Sequence, residues 1–310
     1  MIKVHKNGIL AIAVVVVVAV ASFAGAAILL LGGPAASQEE VKSTIVDDRG
    51  KKIGFPDYPQ RIVSLGSSFT EIIIALNEGD RLVGVDYSGA ALDGLPEGIT
   101  DLGKTSSLSM ETLLSLEPDC VIIWNFGMYQ DLIVDMEKKG LKVVALYPRS
   151  VNDTLSTMER IGEVLGTEAS RLVDELHARV NAVLEKTASI PEEERTRIYL
   201  ELASMGGQTV GSGTISNELI EMAGGKNIFD DTAGNFPASE ELIKERNPQV
   251  IVVEDSSQRD NDYFYEKYGV TDAAKDGRIY RIEAGTLTTS PRIVDALEDL
   301  ARWLHPELFE

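Results

Sequence analysis

The sequence predicts an α/β protein of two Rossmann-like lobes with parallel sheets, joined by one long α-helix and preceded by an N-terminal transmembrane helix. Three observations carry this. One pattern is written twice: Ser109-Met110-Glu111 through Pro118-Asp119 to Val121-Ile122-Ile123, then Ser239-Glu240-Glu241 through Pro248-Gln249 to Ile251-Val252-Val253, 130 residues later at every matched position (109 to 239, 123 to 253). Each copy reads as a capped helix, a proline stop and a buried parallel strand. Apolar strands alternate with helices elsewhere, which implies parallel sheets with helices on their faces. Between the copies the alternation breaks into a long amphipathic helix.

The N-terminus begins with Lys3 and Lys6, followed by an apolar run from Ile9 to Leu31. Its length, about 34 Å as a helix, suffices to cross a bilayer, with the lysines inside and the remainder outside. The run exceeds the core of a cleaved signal, so a retained anchor is expected, with Ala26-Ala27 and Pro34-Ala35-Ala36-Ser37 leaving cleavage open. No cysteine lies near the end of the run, which argues against lipid attachment. Residues 32–42 read as a tether, and the lobes are placed at 42–166 and 192–310, with the linker helix at 167–191.

In the first lobe, Asp47-Asp48-Arg49-Gly50 is a hairpin turn between 43–46 and 51–55. Strands are expected at 61–65, 82–85, 120–124 and 142–146, with helices from about Thr70 and near 128–139. The linker follows a stop at Gly166, and Val173, Leu176, Val180 and Val183 form its apolar stripe. The second lobe restarts at Arg197–Glu201. It continues with a helix at 216–223 ended by Gly224-Gly225, a strand at 278–282, and a last helix opened by Ser290-Pro291-Arg292.

Composition narrows the function. The 310 residues are 44% apolar and 25% charged, enough to build a core in both lobes, and the formal charge of −20 argues against nucleic acid and anionic lipid. The single cysteine, Cys120, sits inside a strand and reads as a buried structural thiol. His5, His177 and His305 do not cluster at metal-ligand spacing, so no metal site is expected. Gly206–Thr214 resembles a phosphate loop, but Ser212 stands where the lysine belongs, and a glycine-rich turn is the simpler reading. No serine sits in a nucleophile elbow, and the adjacent acids read as turn and helix-start residues. Asn152-Asp153-Thr154 is a glycosylation sequon.

Open α/β sheets bind ligands past the carboxyl ends of their strands. In the first lobe those positions are Ser67, Ser68, Tyr87, Trp124, Asn125, Phe126, Tyr147 and Arg149; in the second, Met205, Phe236, Thr288 and Arg292. The aromatics suit a flat or apolar ligand, or else each caps the core of its own lobe. Glu111 and Glu241 occupy matching first-turn positions. There an acid complements the helix dipole, and a pair of exposed acids, one per lobe, also suits a basic partner.

The chain resembles the iron-siderophore and vitamin B12 class of substrate-binding proteins of ABC importers, over residues 42–308. The resemblance rests on Asp47–Gly50 before Arg61–Leu65, Ser68-Phe69-Thr70-Glu71, Leu82–Val85, Ser109–Ile123, Ala223–Phe229, Pro237–Val253 and Ser290-Pro291-Arg292. It implies no enzymatic activity, ligand in a shallow cleft between the lobes, small closure about a single helical hinge, and docking of Glu111 and Glu241 on permease arginines. In B12-binding members the cleft aromatics match Tyr87, Trp124 and, in place of a tryptophan, Phe236. Siderophore binders place arginines in the cleft, for which Arg149 and Arg292 are the candidates. The expected cargo is a metal chelate, with ferric siderophores ahead of corrinoid and haem, and no resident cofactor. The competing classes are a membrane-anchored enzyme and a surface sensor.

Overall fold

The computed structural model describes residues 41–309. Among them no helix is long and apolar enough to cross a membrane; the expected span Ile9–Leu31 lies outside the described residues. The described chain opens with the antiparallel hairpin β1 (Ser43–Val46) and β2 (Lys52–Phe55). Its turn is held by the buried Asp47, whose carboxylate accepts from the backbone N–H groups of Arg49 and Lys51 at 3.0 and 3.1 Å.

The first sheet builds from β3 (Ile62–Leu65), α1 (Ser67–Ala75), β4 (Leu82–Val85), α2 (Tyr87–Ala90), β5 (Thr100–Asp101), α3 (Met110–Ser115), β6 (Cys120–Trp124), α4 (Gln130–Lys138) and β7 (Val143–Leu146). Its five strands run parallel in the order β5-β4-β3-β6-β7. Two helices follow, α5 (Val151–Leu165) and α6 (Ser170–Thr187), separated where Gly166 ends α5. The second sheet uses β8 (Thr196–Leu202), β9 (Gln208–Val210), α7 (Ile215–Met222), β10 (Gly225–Asn227), β11 (Asn235–Phe236), α8 (Glu240–Arg246), β12 (Val250–Glu254), α9 (Asn261–Lys267), α10 (Asp272–Lys275), β13 (Ile279–Ile282) and α11 (Ile293–Leu304).

The second sheet corrects one expectation. Its order is β11-β9-β8-β12-β13, with β10 also paired to β8, and it is mixed: β9 runs antiparallel to both β8 and β11. The segment Gly206–Thr214 is therefore the tight return of a hairpin, then β9, then the cap of α7, where Thr214 Oγ1 accepts from Asn217 N at 3.2 Å. Strands of two or three residues such as β9, β10 and β11 are too short to show a period in sequence.

The two copies of the repeated pattern fold alike. Helices α3 and α8 start at Met110 and Glu240, and β6 and β12 span Cys120–Trp124 and Val250–Glu254, each pair 130 residues apart (110 to 240, 120 to 250). Ser109 and Ser239 cap them, their hydroxyls accepting from Thr112 N and Leu242 N at 3.2 Å, a bond worth about 1 kcal/mol each. Asp119 and Gln249, at the matched position after each proline, accept from Arg61 N and Arg197 N at 3.0 Å and fix the pairing with the neighbouring strand.

Strand alternation sorts the core. Ile62, Cys120, Ile122, Val144 and Leu146 face one layer, and Val63, Leu65, Val121, Ile123, Val143 and Ala145 the other. The second sheet does the same, with Tyr199, Ile251, Val253 and Ile279 on its separate outer core. The inner layer is shared: one cluster runs from Ile45 through α5, α6 and α7 to Leu304 on α11. The α6 stripe Val173, Leu176, Val180 and Val183 is buried in it, as expected. Beside that stripe, Arg179 binds Asp295 and Glu298 of α11 at 2.5 and 2.9 Å, and these partners, Glu298 above all, push its guanidinium pKa up. Cys120 is free and buried, and burial pushes its thiol pKa up, in keeping with an inert structural role.

Candidate functional site: a cavity at the strand ends

Helix α1 begins three residues before the sequence suggested. Its N-cap is Gly66, which has no side chain to announce it. The position demands glycine: φ is +154°, and a Cβ there would overlap the Trp124 indole and meet the Phe69 ring at 3.1 Å. Starting at Ser67 puts Ser67, Glu71, Ile74 and Ala75 on one helical face, at i, i+4, i+7 and i+8.

That face forms one wall of a cavity of about 880 Å³, within the range of small-molecule sites. Tyr87, Ser88, Ala91, Leu92 and Asp93, on and just past α2, add to the same wall. Ser204, Ser256, the turn Glu283-Ala284-Gly285, Thr288, Pro291 and Arg292 form the opposite wall. The contributing segments follow the carboxyl ends of β3, β4, β8, β12 and β13.

Two adjacent acids, one buried and one exposed, hold the loops of the second wall. Glu254 is 4% exposed and accepts from Ser204 N at 2.7 Å, and Asp255 Oδ1 accepts from Ala284 N at 2.7 Å. In the first wall Asp86 caps α2 by accepting from Gly89 N at 2.9 Å and takes a bond from the Thr105 hydroxyl at 3.2 Å. Burial nevertheless lifts the Asp86 carboxyl above its ordinary value.

Arg292 joins the two walls. Its guanidinium donates to Glu71 on α1 and, at 2.7 Å, to Glu283. Both partners hold it charged, Glu71 the more strongly. Gly285 lets it pass, since a Cβ there would lie 2.9 Å from Arg292 Nη2. The second Glu71 oxygen, Oε2, is buried and has no hydrogen-bond partner.

Of the residues the sequence suggested, the cavity brings together Ser67, Tyr87, Thr288 and Arg292; Tyr87 is 61% exposed on its wall. Ser68 is buried in the first turn of α1 and does not line it. Trp124 and Phe126 stack on each other with centroids 5.1 Å apart, Trp124 against Phe69 and Phe126 against the edge of Tyr147. Phe236 packs edge-on against Phe229, in the outer core of the second sheet. Met205 stands 47% exposed beside Asn235, outside the lining. Asn125, Tyr147 and Arg149 line a separate pocket of about 290 Å³ with Asp48, Asp153 and Arg160. The strand ends of the first sheet thus divide, β3 and β4 serving the cavity and β6 and β7 the smaller pocket.

Sequence reading missed Glu71, Asp93, Ser204, Ser256 and Glu283. For Glu71 a signal existed: extending the helix back to Ser67 aligns the two residues on one face. The others sit on loops with no periodicity to read.

Glu111 and Glu241 are exposed in the first turns of α3 and α8, and neither makes an ion pair among the described residues. Glu240, beside Glu241, is instead paired with Lys244. No group of three or more His, Cys, Asp or Glu that could hold a metal ion occurs among the described residues.

Comparison with known proteins accords with this architecture. The profile of the periplasmic binding protein family matches residues 62–285. The ABC transporter substrate-binding lipoprotein YvrC of Bacillus subtilis is 28% identical over 89% of this chain and 90% of its own length. The vitamin B12-binding protein of Yersinia pestis is 27% identical over 65% of this chain and 72% of its own length. A possible iron-binding, periplasmic solute-binding protein from Staphylococcus epidermidis superposes with a TM-score of 0.66 at 26% identity, covering 80% of this chain and all of that one. The chain belongs to the periplasmic binding protein family.

Proposed function

We propose that this periplasmic binding protein captures a metal-centred chelate in the 880 Å³ cavity and delivers it to the permease of an ABC importer. The observation that carries the reading is the cavity itself. Both sheets contribute strand ends to it, its walls are largely apolar, and a few polar groups converge there. That is the composition expected of a site that encloses a bulky ligand and orients it. Two of the named relatives support it, one described as a vitamin B12-binding protein and the other as a possible iron-binding protein.

The remaining parts take roles in the same reading. Glu111 and Glu241 present one uncompensated acid from each copy of the repeated helix, and we assign them to permease docking. Such rim charges steer and orient an encounter more than they tighten it. Helix α6 serves as the strut between halves 42–166 and 192–310. Because the inner core is continuous across both halves, closure on the ligand is small. The apolar run Ile9–Leu31 keeps the protein on the outer face of the membrane.

The test is a titration of the full chain in detergent with cobalamin, ferric chelates and haem, followed by tryptophan fluorescence. Trp124 lies against Gly66, next to Ser67 on the cavity wall, whereas Trp303 stacks on Tyr280 at 5.0 Å. Saturable quenching by one ligand, abolished by Trp124→Phe, is expected. Equilibrium dialysis showing retention of none of the three would contradict the proposal.

A further inference from the structure

The cavity contains four ionisable side chains of fixed sign: Glu71, Asp93 and Glu283 against the single cation Arg292. The charge of Arg292 is already met by two carboxylates, Glu71 at Nη2 and Glu283 at Nη1. Asp93 makes no ion pair among the described residues. Glu71 turns its second oxygen into the protein without a donor. Three carboxylates against one cation leave the cavity wall net negative, which favours a donor or a cation brought by a ligand and repels another anion. The surrounding chain has a formal charge of −20, which repels anions before they arrive.

We propose that the cavity selects chelates by charge, taking uncharged or cationic complexes and rejecting anionic ones such as carboxylate- or catecholate-bearing ferric complexes and haem with its ionised propionates. This rests on the chelate-binding reading above and narrows it. Glu71, Asp93 and Glu283 are the residues that determine the specificity. Arg292 is the clasp between the two walls rather than an anion receptor. A free guanidinium here would give the opposite preference, since a planar donor pair in a sheltered cavity is a strong carboxylate site.

The experiment uses two matched ligand series, each varying charge on a constant core, with the full chain in detergent. One is ferrioxamine B with its free amine (net +1), its N-acetyl form (neutral) and its N-succinyl form (net −1). The other is a dicyano-corrinoid with amide side chains against the same macrocycle with those amides hydrolysed to carboxylates. In whichever series binds, we expect the anionic member to bind at least ten-fold more weakly than the neutral one at low salt. The gap should narrow as salt is added, since screening weakens the repulsion. The paired variant Glu71→Gln/Glu283→Gln frees Arg292 and should raise the ratio of anionic to neutral affinity by at least ten-fold, whatever the loss of the clasp does to both. A cooperative thermal melt and an unaltered far-ultraviolet circular dichroism spectrum report that the variant is folded. Equal binding of anionic and neutral members by the wild type, or an anion preference, overturns the charge selection and leaves chelate capture standing. Binding of no member of either series and no retention of haem overturns chelate capture and this inference together, whereas retention of haem alone overturns this inference and leaves chelate capture standing.

Discussion

The two copies of the repeated unit share a skeleton and differ in what they place at the strand end. Helix starts, strand limits and the serine caps coincide at an offset of 130 residues (109 to 239). Even the helix exits match: Glu117 and Asn247 both take left-handed backbone, at φ 45° and 46°. The strand that precedes each unit in its sheet sends an arginine back to that exit, Arg61 Nε to Leu116 O and Arg197 Nε to Asn247 O, both at 3.0 Å. Past the strands the likeness stops. Trp124-Asn125-Phe126 of the first unit stands where the second has Glu254-Asp255-Ser256. The first unit braces the start of α1 by ring packing, and the second holds its loops by carboxylates accepting backbone N–H groups. A repeated scaffold therefore fixes where the cavity lies, and the strand-end residues set its chemistry.

The packed end should be the more sensitive. Gly66→Ala forces a Cβ into the Trp124 indole at a strained φ, and a loss of about 2–4 kcal/mol is expected from denaturant unfolding. In a Trp124→Ala background the same change should cost only the backbone part, about 1–2 kcal/mol. Equal costs in both backgrounds would show that the indole does not brace α1.

At the carboxylate end, Glu254→Ala leaves Ser204 N without its acceptor and should cost about 1–2 kcal/mol, while Glu254→Gln keeps an acceptor and should cost less. If the two variants cost the same, the negative charge matters more than the bond to Ser204.

The shared helix exit offers a sharper contrast. Glutamate tolerates left-handed backbone poorly and asparagine well. Glu117→Asn should therefore stabilise by about 0.5–1 kcal/mol. The reverse exchange, Asn247→Glu, should destabilise by at least about 1 kcal/mol, since Asn247 also accepts from Asp272 N at 2.8 Å. Opposite signs in thermal melts are the expected result, and like signs would break the equivalence of the two exits.

The smallest effect concerns Asp86, the acid that the first half places past β4. Its carboxyl titrates above its value in the unfolded chain because it is buried. The native state then holds the proton longer than the unfolded one. Stability contributed by this group falls as pH rises from the ordinary aspartate value through the raised one, and is level beyond it. Asp86→Asn retains the cap and removes this dependence. The variant should gain on the wild type as pH rises through that window, as read from paired unfolding curves.

Legibility in the sequence followed the same division. The repeated unit was readable because serine cap, proline stop and β-branched strand are local devices with fixed spacing. The α6 stripe was readable from its period. The start of α1 was not, because Gly66 acts by what it lacks, and losing those three residues hid the face that carries Glu71. The antiparallel turn to β9 was hidden by strand length. The cavity was half legible: strand ends pointed to Ser67, Tyr87, Thr288 and Arg292, yet nothing in sequence tells that Arg292 meets Glu71 from 221 positions away. The aromatic residues past β6 and β7 looked equivalent to Tyr87 in sequence, and only the packing separates them.

The central claim is that the cavity joining the two sheets' strand ends is where the ligand sits. Isothermal titration of the full chain with the chelate that it retains, compared with Ala75→Trp in the cavity and Ser156→Trp in the smaller pocket, tests it most directly. The account predicts one ligand per chain for the wild type and Ser156→Trp, and none for Ala75→Trp at an unchanged thermal midpoint. Binding that survives Ala75→Trp and is lost in Ser156→Trp would contradict it.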